Sequence, residues 1–275
     1  MTLATLSEVL CPALEGHYAV AGLVCLGWED MRAYVDAAEA EGVPVILQAG
    51  PGCRANTPLP VLGAMFTYLA ENSSVPIVVH LDHSRSFEEC RQALDCGFTS
   101  LMFDGSSLPL AQNIAETAKV VEFAHAAGMS CEGEIGYVGY AGGMVSQGTD
   151  PAEAALFAKQ TGVDALAISA GNLHLQQGQG AGLDEALVRA IERLTPANST
   201  SGRNCAWLSG LRCAKLSIET RPALIGSKSC AKLTVLWSLR PGKSSLLSAA
   251  PLPCPRIKHR LLLDHIVQAL AEPIG

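Results

Sequence analysis

The chain has 275 residues, 49% hydrophobic and 16% charged, with ten scattered cysteines and no CxxC pair, which excludes a mostly disordered protein and favours reduced thiols. A formal net charge of −7 argues against a nucleic-acid partner. No apolar run reaches the roughly 18 residues of a membrane span and no basic-then-apolar leader opens at Met1, so a soluble, cytoplasmic chain with no membrane partner is expected.

Apolar runs and amphipathic stretches alternate regularly over residues 1–196. Tyr18–Leu26 reads as a buried strand and Trp28–Glu41 as a helix. Val43–Gln48, Pro76–Leu81, Ser100–Phe103, Met129–Glu134 and Asp164–Ser169 continue as strands. Pro58–Glu71, Phe87–Asp95, Leu110–Ala127, a stretch ending at about Thr161 and Asp184–Leu194 continue as helices. Asp150-Pro151 supplies an N-cap carboxylate and a first-turn proline to the helix that ends near Thr161. Strands apolar along their length and joined through helices imply a parallel sheet covered on both faces. Six βα units in 196 residues leave room for two more, so a single (β/α)8 TIM barrel over 1–275 is expected. An open doubly wound sheet is the other arrangement, but no Gly-rich dinucleotide fingerprint follows the first strand.

Composition breaks near Pro196. Residues 1–196 carry 8 Lys+Arg against 23 Asp+Glu, a net of −15, whereas 197–275 carry 11 against 3, a net of +8. Trp207, Trp237 and four cysteines make a solvated basic arm a poor reading of this anomalous segment, whose last two βα units are expected to be atypical or degraded.

Chemistry in such a barrel gathers at the C-terminal ends of the strands. The polar residues there are His80-Leu-Asp-His83, Asp104-Gly-Ser-Ser107, Glu132-Gly-Glu134 and Asn172-Leu-His174. Imidazole and carboxylate suit a borderline metal such as zinc, and His83, His174 and Glu134 come from separate strands. Asp82, between two histidines, is a candidate to exchange a proton with a substrate hydroxyl beside that metal. His125 lies on a helix and faces the other end.

The runs His80-Leu-Asp-His-Ser84, Leu101-Met-Phe-Asp-Gly-Ser106, Cys131-Glu-Gly-Glu-Ile-Gly136 and Ala167-Ile-Ser-Ala-Gly-Asn-Leu-His174 resemble the class II, metal-dependent ketose-bisphosphate aldolases, whose members include the fructose- and tagatose-bisphosphate enzymes. The resemblance covers about residues 1–196. It implies reversible aldol cleavage of a ketose 1,6-bisphosphate to dihydroxyacetone phosphate and glyceraldehyde 3-phosphate. It also implies Zn2+ held by His83 and His174, and Asp82 as acid/base at the C4 hydroxyl. Glu134 and Asp104 match carboxylates that bind the ion in a more buried position, or a second divalent or monovalent cation. A sugar phosphate is the implied small-molecule partner and a homo-oligomer the implied assembly.

Departures accompany the match. The His-Gly-Gly-Ser-Gly run with the family's third zinc histidine is absent, Leu175 replaces a glycine, Ala49-Gly50 stands where a serine is usual, and Tyr137–Thr149 contains no Asp or Glu. A reading-frame shift near residue 197 accounts for both the charge break and the missing motifs, with Arg256–Gly275 back in the original frame. The other readings are a catalytically impaired barrel serving as a binding or scaffold protein, and a metal-assisted enzyme acting on a related sugar phosphate or keto acid.

Overall fold

The computed structural model describes residues 2–16, 18–139, 143, 145–171 and 184–195, with the backbone of 207–209 and 233–235. In chain order the elements are β1 (Leu3–Ala4), α1 (Leu6–Glu15), β2 (Ala21–Val24), α2 (Trp28–Glu41), β3 (Val45–Ala49), α3 (Pro51–Asn56), α4 (Leu59–Glu71), β4 (Ile77–Ser84) and α5 (Phe87–Asp95). They continue as β5 (Ser100–Phe103), α6 (Leu110–Ala126), β6 (Ser130–Ile135), α7 (Pro151–Thr161), β7 (Ala165–Ile168), α8 (Glu185–Leu194), β8 (Trp207–Ser209) and β9 (Leu233–Val235).

Among the described residues, all strands belong to one nine-stranded sheet with the path β8-β7-β6-β5-β4-β3-β2-β9, and β1 pairs with β4. Neighbours from β2 to β8 are parallel, as expected of successive βα units. The end of the path departs from the pattern: β9 runs antiparallel to β2 instead of closing the barrel as another parallel strand.

Side-chain alternation along each strand divides the core into two layers. Val45, Leu47, Ile77, Val79, Leu81, Leu101, Phe103 and Cys131 pack outward with Met31, Phe66, Phe157 and other helix residues. Ile46, Val78 and Ala165 form a separate inner cluster with Leu6, Val9, Leu10 and Ala13 of α1, which therefore closes the N-terminal end of the sheet interior. Thr5 and Glu8 start α1 with a reciprocal capping box. Beside it, Ser7 Oγ donates to Asp164 Oδ1 at 3.0 Å, and Asp164 Oδ2 accepts from the Cys131 amide at 2.8 Å and lies 2.7 Å from His125 Nε2. His125 is thus engaged at the end opposite the strand C-termini. Cys25, Cys53, Cys90, Cys96 and Cys131 are free thiols, whereas Cys11 is disulfide-bonded, a correction to the all-reduced expectation.

Candidate metal centre

The site begins with an irregularity in β4. Leu81 pairs with Leu101 and Ser84 with Phe103, so β4 uses one residue more than β5 over this interval. Such a bulge turns side chains away from strict alternation. His83 takes φ = 53°, the left-handed region that a non-glycine residue enters at a cost, and it is the one non-glycine residue to do so among those described. Asp82 and His83 lie within this shift, without register partners on β5. Arg54 on α3 takes up their carbonyls, Nη1 donating to Asp82 O at 2.6 Å and Nη2 to His83 O at 3.2 Å.

The redirected imidazole meets two carboxylates. His83 Nδ1 is 3.1 Å from Asp104 Oδ2 and 3.5 Å from Glu134 Oε2. One ligand atom from each of these three residues can be chosen so that all lie within 4.8 Å of one another, and both carboxylates are buried. Phe103 and Gly133 are partners in the ladder, so Asp104 and Glu134, each one residue further on, stand side by side on adjacent strands. Burial would raise the Asp104 carboxyl, but the His83 ring and the Ser106 hydroxyl and amide outweigh it and hold this acid well below the ordinary carboxylate range. Arg85, mostly exposed, adds an ion pair to Asp104 Oδ2 at 3.3 Å. Two buried, adjacent carboxylates and an imidazole are a donor set that fits a borderline divalent cation, whose charge would offset their mutual repulsion.

Asp82, 2% exposed, lies one residue before His83. A methyl group on Gly50 would stand 3.4 Å from Asp82 Oδ2, so the end of β3 approaches this carboxylate closely. Deeper in the sheet interior, His80 Nδ1 is 2.8 Å from Ser100 Oγ and Nε2 is 3.4 Å from Glu132 Oε2, a buried polar layer beneath the site. Past β6, Tyr137 and Gln147 exchange backbone hydrogen bonds at the base of the acid-free loop.

The sequence-derived residues His83, Asp104 and Glu134 are therefore brought together, with Asp82 adjacent in the chain. His174 lies outside the described residues, as does the remainder of 172–183. Arg54 and Arg85 escaped the sequence reading, which included Ser106 only as part of the Asp104-Gly-Ser-Ser107 run. Arg54 did leave a signal: it is the lone Lys or Arg between Arg32 and Arg85, two residues beyond the Gly50-Pro51-Gly52 run that follows β3 and starts α3.

A family profile described as "Fructose-bisphosphate aldolase class-II" matches residues 4–201, stopping where composition changes. The fructose-bisphosphate aldolase of Geobacillus stearothermophilus is 41% identical over 181 residues, 63% of each chain, and that of Staphylococcus aureus strain Mu50 is 39% identical over the same share. The match thus spans 63% of the length of these curated relatives. Among solved structures, the YdjI aldolase from Escherichia coli K12 superposes with a TM-score of 0.63 at 33% identity, covering 70% of this chain and 69% of that one. A putative fructose-1,6-biphosphate aldolase from Coccidioides immitis gives 0.64 at 26% identity, covering 74% and 72%. With the profile matched over most of its length, the chain belongs to the class-II fructose-bisphosphate aldolase family.

Proposed function

We propose that this chain is a Zn2+-dependent lyase performing reversible aldol cleavage of a ketose 1,6-bisphosphate, fructose or tagatose, to dihydroxyacetone phosphate and glyceraldehyde 3-phosphate. The observation that carries the reading is the convergence of His83, Asp104 and Glu134 from three adjacent strand ends beside the buried Asp82. These three residues would hold the ion, with His174 as a further ligand and Asp104 or Glu134 also suited to a second cation. The ion would supply Lewis-acid polarisation of the substrate carbonyl.

The chain's own residues carry the proton work. In the cleavage direction the Asp82 carboxylate takes the proton of the C4 hydroxyl as the C3–C4 bond breaks and C4 becomes an aldehyde. The bonding electron pair stays with the dihydroxyacetone phosphate half, which takes up one proton at C3 from a separate acid to complete the product; condensation begins with loss of that proton. In the condensation direction the protonated Asp82 returns the proton to the new C4 alkoxide. Burial of Asp82 keeps water from competing for that proton. The absence of Asp and Glu from 137–149 favours, as a second reading, a barrel that retains binding while lacking efficient C3 proton transfer.

The test combines elemental analysis with cleavage assays on both bisphosphates, for wild type and Asp82→Asn. Turnover should vanish with chelator, return with Zn2+ or Co2+, and fall by about 10^2–10^4 in the variant while the metal is retained. Turnover indifferent to chelator removes the metal role, and a variant with wild-type kcat removes Asp82. Bound metal without turnover on either sugar selects the binding reading.

A further inference from the structure

We propose that Arg54 is a positioning residue: its guanidinium locks the β4 bulge and thereby aims His83 at Asp104 and Glu134 while Asp82 keeps its inward direction. The consequence for metal affinity rests on the functional reading above; the clamp itself does not.

Four contacts define the clamp. Nη1 donates to the carbonyls of Ala49 and Asp82, Nη2 to that of His83, and Nε to Glu89 Oε1 at 2.8 Å. One side chain thus ties the end of β3, the bulge of β4 and the first turn of α5. The Arg54 side chain is only 9% exposed, and Glu89 balances its charge. Two of the three carbonyls it reaches belong to the stretch of β4 between Leu81 and Ser84 that has no register partner on β5. A planar fork reaches three carbonyls in different directions at once; a lysine ammonium, with its donors on a single atom, does not reproduce this.

The left-handed backbone at His83 explains why the clamp matters to the site. A residue in that region persists only where its surroundings over-determine it. Released from Arg54, His83 would relax towards extended backbone. Alternation would then throw its ring to the face opposite Asp82, away from both carboxylates. The ladder resumes immediately afterwards, the Asp104 amide donating to Ser84 O at 2.7 Å, so loosening of the bulge is transmitted to a second site residue.

The experiment uses Arg54→Lys, Arg54→Met and Glu89→Gln, with hydrogen exchange on the metal-free protein and Co2+ titration followed by visible absorption. Both Arg54 variants should exchange the Asp104 amide about tenfold faster or more, while the Cys25 amide, bonded to Gln48 O in the β2–β3 pair, stays at its wild-type rate. Co2+ should bind 10–100-fold more weakly with an altered absorption band, and lysine should not restore either property. Glu89→Gln, which keeps the guanidinium, should show a smaller rise at Asp104 and decides the matter should both Arg54 variants fail to fold. Wild-type exchange at Asp104, or an equal rise at Cys25 and Asp104, overturns the clamp. A wild-type chain that binds no Co2+ overturns the functional reading, and exchange still decides the clamp.

Discussion

Gly133, between the two glutamates of β6, gives a test of how closely the site depends on the helix behind it. A Cβ built on Gly133 would lie 2.9 Å from Phe157 Cε1, 3.0 Å from Phe157 Cζ and 3.0 Å from Val163 Cγ1. Ordinary carbon contacts are about 3.5–4.0 Å, so the methyl group of Gly133→Ala overlaps its neighbours by roughly 0.5–1 Å. Phe157 is fully buried on α7 and has little room to retreat. Overpacking of this kind costs about 1–3 kcal/mol, or about 2–12 °C in Tm at 2–4 °C per kcal/mol. Shortening the opposing ring should relieve it: Phe157→Leu alone loses packing, but Gly133→Ala/Phe157→Leu should be more stable than the sum of the two single changes by about 1 kcal/mol or more. Thermal unfolding followed by circular dichroism on the four proteins closes the cycle. Additive losses, or a Gly133→Ala protein as stable as wild type, would show that β6 and α7 are not in hard contact at this point.

The depressed Asp104 carboxyl contributes stability present above the unfolded value of about 3.9 and lost as pH falls below it. The metal-free wild type should therefore lose stability more steeply than Asp104→Asn below about pH 4 in urea titrations. Burial pushes the thiols of Cys53 and Cys90 up to about 11 and those of Cys25 and Cys131 well above their ordinary value. Among the free thiols described, brief iodoacetamide treatment near pH 8 should label Cys96, the partly exposed one, first by peptide mapping. Asp164→Ala removes the acceptor of Ser7, Cys131 and His125 and should cost about 3 kcal/mol in urea denaturation without weakening Co2+ binding at the opposite end. Translation of the coding nucleotides beyond residue 197 in the other two frames should recover a His-Gly-Gly run, and its absence from both would dispose of a frame shift.

Elements with strong local signals were legible from the sequence. Phe87–Asp95, Trp28–Glu41 and Ser100–Phe103 have the boundaries that periodicity assigns, because their ends coincide with caps or with the limits of an apolar run. The helix α1 was missed although Thr5 and Glu8 spell a capping box, since Pro12 and the short apolar stretch around it interrupt a helical pattern. The strand read as Tyr18–Leu26 shrinks to Ala21–Val24, because hydrophobicity continues beyond the residues that find a ladder partner. At the site, ligand-type residues at strand ends point to His83, Asp104 and Glu134, which the fold brings within reach of one another. Pattern reading could not supply the bulge: alternation places His83 on the face opposite Asp82, and only a long-range contact from Arg54 shows how the backbone departs from it.

Register explains why these particular strand ends make a centre while others do not. Ser84, Phe103 and Gly133 form one level across β4, β5 and β6, and the next residues on β5 and β6 are the two acids. Parallel strands stand about 4.8 Å apart, so two carboxylates at equal height are forced into repulsion unless a positive or ionisable group reaches between them. Regular geometry offers none from β4, whose residue at that height would point its side chain along the normal alternation. The extra residue supplies it by turning His83 into the gap, and the ion pair from Arg85 reinforces Asp104 from the rim. The electrostatic cost of placing Asp104 beside Glu134 and the conformational cost of His83 in the left-handed region are therefore linked: each is tolerable because the other is present. A cation entering this gap would meet the His83 ring in an orientation that β4 and Arg54 already fix, so binding would require little rearrangement of the strands that supply the ligands.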